Sequence, residues 1–273
     1  MTDDQTNRAT AFQALHARAE PLLLPNPWDA GSARLLATLG FEALATTSLG
    51  AACVLGRTRA TADEILDNLR AIVEATDLPV NADLENGYAD APDAAARMIA
   101  QACEAGAVGA SIEDHTGDMS APIYDFGQAV ERVQAAVEAA RALPIPFVLT
   151  ARAENLLYGV GDLDEAIRRL RAFEAVGADV LYAPGLKTID EMRTVVQSVG
   201  KPVNVVMGFA EPTITLDQLR EIGVRRVSIG GGFARVALQA ALDAAKAMQA
   251  GRFEFITNMI GIGDLRRAFA AGE

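Results

Sequence analysis

The chain has 273 residues, of which 51% are hydrophobic, and this is enough material for a large domain with its own core. Its 24 Lys and Arg residues against 36 Asp and Glu residues give a net charge of −12. A chain this acidic is unsuited to nucleic acid or to anionic membranes, which select basic surfaces. Cys53 and Cys103 are isolated and form no disulfide framework or zinc signature. With no signal-peptide pattern and no apolar stretch of membrane-spanning length, we expect a cytoplasmic protein.

Eight short apolar runs alternate with stretches of helical periodicity. Proline precedes the odd-numbered runs and glycine precedes the even-numbered ones, which fits strand starts and helix ends. This alternation predicts an α/β fold of the (β/α)₈ TIM barrel type, and a doubly wound open sheet is the alternative. The eight runs are 22–25, 43–47, 80–84, 109–113, 147–151, 180–183, 203–207 and 226–229.

We interpret residues 1–273 as one barrel domain in which 252–273 form a C-terminal helical extension. Apolar spacing over 253–269 has no obvious place in a barrel. That extra helix is therefore expected either to pack on a neighbouring subunit, as in a swap between subunits, or to lie on its own barrel.

Two of the predicted strands end in acidic residues. Asp83 and Glu85 are two residues apart, so their side chains would point to the same side of a strand. Glu113 ends the following strand, one β/α unit later. Three carboxylates at one rim repel one another, and hard oxygen ligands in this number suit Mg²⁺ or Mn²⁺. The sequence therefore predicts a metal site at Asp83, Glu85 and Glu113.

Other polar residues also fall at predicted strand ends, where barrel enzymes place their active sites. Arg152 ends the fifth run and could hold a carboxylate substrate by paired hydrogen bonds. Asn204, in the seventh run, is a candidate substrate contact. Helix capping or rim salt bridges would be the structural alternative for any one of these residues.

At these residues the chain resembles the isocitrate lyase/phosphoenolpyruvate mutase superfamily, from about Leu22 to about Ala240. The ordered set of motifs carries the resemblance. The motifs are Asn26-Pro-Trp-Asp-Ala-Gly-Ser-Ala33, Thr46-Thr-Ser-Leu-Gly50, Asp83-Leu-Glu-Asn-Gly-Tyr88, Ser111-Ile-Glu-Asp114, Thr150-Ala-Arg152 and Gly177-Ala-Asp-Val-Leu-Tyr-Ala-Pro-Gly185.

The resemblance implies roles for most of these residues. Asp83, Glu85 and Glu113 would hold Mg²⁺, partly through waters, and Arg152 would steady a substrate carboxylate. The backbone of Thr47, Ser48, Leu49 and Gly50 would bind a carboxylate and a 2-oxo oxygen. Members of the superfamily cleave or form C–C or P–C bonds beside a 2-oxo acid through a metal-stabilised enolate, and they commonly form tetramers.

The chain departs from the best-known members in the segment that follows the metal glutamate. Isocitrate and methylisocitrate lyases carry a cysteine there, whereas residues 114–124 are short and contain none. The Lys- and Asn-containing gate of the phosphonate enzymes is also missing. An acid that many members carry after the second unit is replaced here by Arg59, whose contact with substrate the sequence leaves open.

Three further features are ambiguous. His115 could be a general acid or base near neutral pH, or an exposed loop histidine. Tyr88 could hydrogen-bond the substrate or a water, or pack on the rim. The glycines at 230–232 resemble a phosphate cradle and could equally form a tight turn into a helix.

We therefore expect a Mg²⁺- or Mn²⁺-dependent carbon–carbon lyase that acts on a small 2-oxo or 2-hydroxy di-acid, of the lyase or oxaloacetate-decarboxylase type. The alternatives are a P–C bond enzyme of the phosphonopyruvate hydrolase or mutase type and a catalytically weak 2-oxo-acid-binding protein. A homo-oligomer, dimer or tetramer, is expected. Expected catalytic residues are Arg152, Glu113, His115 and Tyr88, and expected substrate contacts are Thr47, Ser48, Leu49, Gly50, Asp83, Arg152 and Asn204.

Overall fold

The computed structural model describes residues 2–270 and contains eight strands, all parallel. Each strand lies within two residues of its predicted run, so the prediction of a (β/α)₈ barrel is confirmed. The strands are β1 (Leu22–Leu24), β2 (Leu44–Ala45), β3 (Val80–Asp83), β4 (Gly109–Glu113), β5 (Val148–Arg152), β6 (Val180–Tyr182), β7 (Val203–Val206) and β8 (Arg226–Ser228).

The strands pair in the order β1-β8-β7-β6-β5-β4-β3-β2, which leaves β1 and β2 to close the barrel. Ala45 N donates to Pro25 O over 3.0 Å at this seam. The Asn26 amide also donates to Ala45 O over 3.2 Å and accepts from Gly230 N over 2.8 Å. Asn26 therefore ties the ends of β1, β2 and β8 together.

Helices surround the sheet and begin and end largely where local chemistry dictates. Thr61, Thr188 and Thr215 each cap a helix start, and a residue in the first turn returns the hydrogen bond. The glycines that precede the even-numbered strands have φ between 80° and 103°, as expected of left-handed helix ends. The helices are α1 (Asp3–Leu15), α2 (Ala30–Ala37), α3 (Ser48–Val54), α4 (Ala62–Glu74), α5 (Pro92–Glu104), α6 (Phe126–Ala142), α7 (Leu163–Ala175), α8 (Ile189–Ser198), α9 (Leu216–Glu221), α10 (Gly232–Gln249) and α11 (Ile262–Ala270).

Helix α1 packs its apolar face against the barrel. Its Phe12 is fully buried, and the Phe12 ring lies 2.8 Å from where a side chain on Gly109 of β4 would begin. His16, which follows α1, is also buried. Burial and the charge of Arg226 on β8 lower the pKa of His16 to about 4. Gly109 and Arg226 are the first residues of their strands, so α1 lies near the N-terminal strand ends of the barrel. The C-terminal strand ends are left for other residues.

The C-terminal segment is helical. A short 3₁₀ helix at Glu254–Asn258 precedes α11, and Arg34 of α2 donates to Phe269 O in α11. Thus α11 packs on its own chain. Exchange of this helix between subunits stays a prediction. Residues 271–273 lie outside the described part of the chain. Leu238 and Leu242 on α10 remain 47% and 56% exposed. No helix in the described range combines the length and apolarity needed to cross a membrane.

Candidate active site

Arg152 lies at the centre of an acidic cluster where β3, β4 and β5 end. Its Nη1 donates to Asp83 Oδ1 over 2.8 Å, and its Nη2 lies 2.9 Å from Glu113 Oε2. Its Nε donates to Glu154 Oε1 over 2.8 Å. Glu113 and Arg152 are direct register partners on β4 and β5, which explains why these side chains meet. The structure therefore brings together three of the residues predicted from sequence and adds Glu154.

Glu85 has a different partner. It follows β3 with φ 47°, and its Oε2 accepts a hydrogen bond from Arg59 Nε over 2.6 Å. Arg59 also donates to Asn86 Oδ1 over 3.1 Å, and its guanidinium lies 5.0 Å from the centroid of the Tyr88 ring. The left-handed turn at Glu85 and Tyr88 therefore places Glu85 against Arg59 rather than against Arg152.

The cluster carries more acid than base. Burial raises the pKa of Glu113 well above its usual value, and the Arg152 charge opposes this only in part. Burial likewise raises the pKa of Glu154, to about 7. Burial tends to lower the pKa of Arg152, but Glu113, Glu154 and Asp83 together hold it well above its ordinary value. The two glutamates shift upward because too little positive charge surrounds them, and Arg152 shifts upward because three carboxylates surround it.

The acidic residues fit a divalent cation in ligand type and in charge. Four carboxyl groups (Asp83, Glu85, Glu113, Glu154) face two guanidinium groups (Arg59, Arg152), and a bound Mg²⁺ or Mn²⁺ would favour the ionised form of the two glutamates whose pKa is raised. Within residues 2–270, however, no three Asp, Glu, His or Cys side chains stand ready-grouped around one metal position. Arg59 and Arg152 occupy the carboxylate oxygens instead, so a cation would have to displace them in part.

A cavity of about 170 Å³ opens beside this cluster. Asp83, Arg152 and Asn204 line it, as do Thr47, Ser48 and Leu49 at the start of α3, whereas Glu85, Glu113, Tyr88 and His115 are not among its lining residues. Its size suits a small molecule, because drug-sized ligands need roughly 300–1,000 Å³.

The start of α3 packs tightly against the cluster. Ser48 N donates to Asp83 Oδ2 over 2.9 Å, and Gly50 N donates to the capping Thr47 Oγ1 over 3.3 Å. A side chain at Gly50 would begin only 2.7 Å from Trp28 Cβ, so glycine allows this close approach. Gly50 itself lies behind the cavity wall. The predicted contact segment is therefore at the cavity, but two of its amide groups already have partners.

His115 is half-buried rather than free in solvent. Its ring stacks on Tyr158 at 4.0 Å between centroids, and its Nδ1 lies 3.7 Å from Glu113 Oε1. Its Nε2 is buried without a hydrogen-bond partner, as is the Tyr88 hydroxyl. Burial, then Arg59 and Arg152, lower the pKa of His115. It is therefore neutral at pH 7 and can accept a proton.

Sequence reasoning missed three buried residues of this region. Glu154 and Tyr182 lie beside Arg152, and Arg226 lines the far wall of the cavity. For two of them the sequence carries a signal, because side chains two residues apart on a strand share a face: Glu154 lies two residues after Arg152, and Arg226 two residues before Ser228.

A parallel eight-stranded barrel with carboxylates and arginine at its C-terminal strand ends defines a TIM-barrel enzyme class. The family model described as phosphoenolpyruvate phosphomutase matches residues 12–249, and the chain belongs to this family, within the isocitrate lyase/phosphoenolpyruvate mutase superfamily.

Relatives named for different activities have similar sequence identity to this chain. The chain is 30% identical over 226 residues to the 2-methylisocitrate lyase of Escherichia coli, covering 78% of this chain and 75% of that one. It is 30% identical over 233 residues to the oxaloacetate decarboxylase of a Bradyrhizobium species, covering 82% and 79%. A solved Burkholderia cenocepacia structure, described only as a lyase or mutase, has a TM-score of 0.96 at 53% identity and covers 98% of both chains. These comparisons fix the superfamily, which includes lyases.

Proposed function

We propose that this protein is a Mg²⁺- or Mn²⁺-dependent carbon–carbon lyase that cleaves a small 2-oxo di-acid, with oxaloacetate decarboxylation as the representative reaction. The observation that carries the proposal is Arg152, held at 2.8–2.9 Å by Asp83, Glu113 and Glu154 at the edge of a cavity of about 170 Å³. Similarity to the oxaloacetate decarboxylase and the methylisocitrate lyase supports the class of reaction.

The cavity offers a position for each part of such a substrate. Arg152 would bind one carboxylate with the guanidinium hydrogens that Asp83, Glu113 and Glu154 leave free, since a guanidinium matches carboxylate geometry. The Thr47–Leu49 wall holds the 2-oxo end. Asp83, Glu85 and Glu113 would hold the divalent cation. When bound, that ion would supply the positive charge that stabilises the negative charge developing on the 2-oxo oxygen.

Protons are handled by groups beside the cluster. The His115 ring is neutral at pH 7 because its pKa is lowered, and since it does not line the cavity it would exchange a proton with the reacting carbon through water. Tyr88 stays protonated because burial and the nearby Glu85 and Asp83 charges raise its pKa, so its hydroxyl would donate a hydrogen bond to a water beside the cluster. Glu113 sets the charge that His115 faces.

The loop after β4 disfavours isocitrate. Residues 114–124 fold back on themselves, with Thr116 N donating to Pro122 O over 2.9 Å and Tyr124 N donating to Asp114 O over 3.0 Å. Asp114 is itself fixed by Arg169 at 3.0 Å. A loop this short and internally bonded has no cysteine acid to deliver, and a missing general acid costs roughly 10²–10⁴-fold in rate.

A homo-oligomer, dimer or tetramer, belongs to the same proposal. Leu238 and Leu242 of α10 and Phe253, Ile256 and Ile260 beyond it are all more than 45% exposed. Large apolar side chains exposed in this number are expected at protein–protein contact sites.

The test is kcat/KM measured with Mg²⁺ on one preparation for oxaloacetate, isocitrate, 2-methylisocitrate and phosphonopyruvate. We expect oxaloacetate to be the best of the four, and Arg152→Gln to lower its kcat/KM by about a hundredfold or more. Arg193→Gln, at an exposed pair with Asp190, is the matched control and should stay near the parent. Isocitrate as the best substrate by a wide margin, or phosphonopyruvate, would overturn the proposal. Binding of 2-oxo acids without turnover would favour the binding-protein alternative.

A further inference from the structure

Arg226 is a buried cation in the wall of the active-site cavity. It is the first residue of β8, its side chain is 3% exposed, and it lines the same cavity as Arg152. Its Nε donates to Asn204 Oδ1 over 2.8 Å, whereas its Nη1 is buried without any hydrogen-bond partner.

The other buried arginines of residues 2–270 have more partners. Arg169 bonds to Asp114 over 3.0 Å and to Glu165 over 2.8 Å. Arg132, although its Nε is buried without a partner, donates to three backbone carbonyls, including Ala89 O over 2.6 Å, and feels the charges of Asp90 and Asp114. Arg226 has no carboxylate among the charges that influence it, which are those of Tyr182 and Arg152. A buried charge without a partner is costly, so a protein that keeps one is expected to use it.

The surroundings of Arg226 hold its guanidinium in place and favour an anion. Asn204, whose oxygen accepts from Arg226, donates through its Nδ2 to Ser228 Oγ over 3.1 Å, which fixes the amide orientation. The N-terminus of α10, an 18-residue helix that begins at Gly232, borders the same cavity beyond the other end of β8. The positive end of its helix dipole adds to the preference of the cavity for an anion.

From this arrangement we infer that Arg226 is a specificity-determining residue that binds the second carboxylate of the substrate, and that Asn204 positions its guanidinium. The inference rests on the proposed function, in which Arg152 and the Thr47–Leu49 wall take the other end of the molecule. An acid with one carboxylate leaves Arg226 unpaired, and a site built to bond a polar group rejects analogues that lack it. Selectivity for di-acids thus comes from β8, on the opposite side of the cavity from the acidic cluster.

The experiment is calorimetric binding of a matched pair of stable acids, 2-oxoglutarate and 2-oxopentanoate, which differ by a carboxylate in place of a methyl group. Arg226→Met removes the charge and keeps the length of the side chain, and Arg226→Lys keeps the charge. Arg225→Met is the matched control, because its neighbouring guanidinium is exposed and donates to Ala19 O outside the cavity.

We expect the parent and Arg225→Met to prefer 2-oxoglutarate. Arg226→Met should weaken the binding of 2-oxoglutarate by roughly 10–100-fold, the range expected for loss of a hydrogen bond to a charged group. The affinity for 2-oxopentanoate should stay within about threefold of that of the parent. Arg226→Lys should keep part of the preference. A preference for the di-acid that survives in Arg226→Met would overturn the inference.

Melting temperatures separate this role from a structural one. Removal of an uncompensated charge should leave the melting temperature of Arg226→Met equal to or above that of the parent. A decrease of about 10 °C, as expected when a charge essential to packing is lost, together with equal weakening of both acids, would show that Arg226 only supports the fold.

The proposed function can fail separately. If the parent turns over none of the four acids but loses di-acid preference on Arg226→Met, the lyase proposal fails and the carboxylate site stands. If oxaloacetate is turned over and the preference is unchanged in Arg226→Met, only the present inference fails. A parent that binds neither acid would contradict both.

Discussion

Arg59 Nε donates to Glu85 Oε2 over 2.6 Å, and this ion pair joins the loop after α3 to the turn after β3. Arg59 also contacts the short loop after β4, because it lies 2.8 Å from where a side chain on Gly117 would begin. The positively charged Arg59 side chain thus lies against Glu85, a carboxylate expected to bind the metal ion.

We predict that Arg59→Gln raises the affinity for Mg²⁺. The substitution frees Glu85, and the pair is partly exposed, so the gain should be roughly fivefold, equivalent to about 1 kcal/mol. Calorimetric titration with MgCl₂ measures it. Arg57→Gln, at the nearby exposed pair with Glu64, is the control and should leave the affinity unchanged. An unchanged or weaker affinity in Arg59→Gln would mean that Arg59 does not compete with the ion.

The metal ligands themselves are tested by removing charge while keeping shape. We predict that Glu85→Gln and Glu113→Gln each weaken Mg²⁺ binding by at least about tenfold, since loss even of supporting groups costs 10–100-fold. Glu42→Gln, at an exposed pair with Arg18, serves as the control. Equal Mg²⁺ affinity in the parent and in both variants would remove these two residues from the metal site.

Stability should fall on acidification because of His16. Its neutral ring donates from Nδ1 to Phe12 O over 2.8 Å, and its pKa is lowered to about 4 by burial and by the Arg226 charge. In the unfolded chain the pKa of this histidine is about 6.5, so between about pH 6.5 and pH 4 the ring is protonated in the unfolded state and neutral in the folded state. Stability attributable to His16 is therefore complete above about pH 6.5 and decreases down to about pH 4.

The measurement is urea unfolding at pH 7 and pH 5. Relative to His16→Gln, which cannot titrate, the parent should lose about 2 kcal/mol of unfolding free energy between these two values. Parallel pH profiles for parent and variant would show that His16 does not contribute.

The exposed face of α10 is expected to be covered by another subunit. Leu238 and Leu242 are four residues apart and share a helix face. Leu238→Lys combined with Leu242→Lys should shift the mass measured by light scattering from a multiple of 28.7 kDa towards 28.7 kDa. Gln239→Lys combined with Asp243→Lys adds the same side chains on another face and should not. A parent mass of 28.7 kDa would contradict the prediction.

Which parts of the barrel could be predicted depended on local signals. The punctuating residues worked because they act locally: Gly40 and Gly106 end helices with φ of 80° and 100°, wherever the rest of the chain goes. Alternation within a strand likewise placed Asp83, Glu113 and Arg152 on the inner face, since side-chain direction has period two. The sequence alone therefore determined the eight-unit barrel and the acidic rim.

The sequence alone could not predict which charged side chains pair when they are far apart along the chain. Nothing local distinguishes Arg59 with Glu85 from Arg152 with Asp83, because the left-handed turn at Glu85 and the strand register decide which guanidinium reaches which carboxylate. The same is true of Arg226: alternation places it on one face of its strand, but nothing local predicts its partner Asn204. Only closure of the barrel buries Arg226 against Asn204 and leaves its neighbour Arg225 partly exposed, since adjacent residues of a strand point to opposite faces.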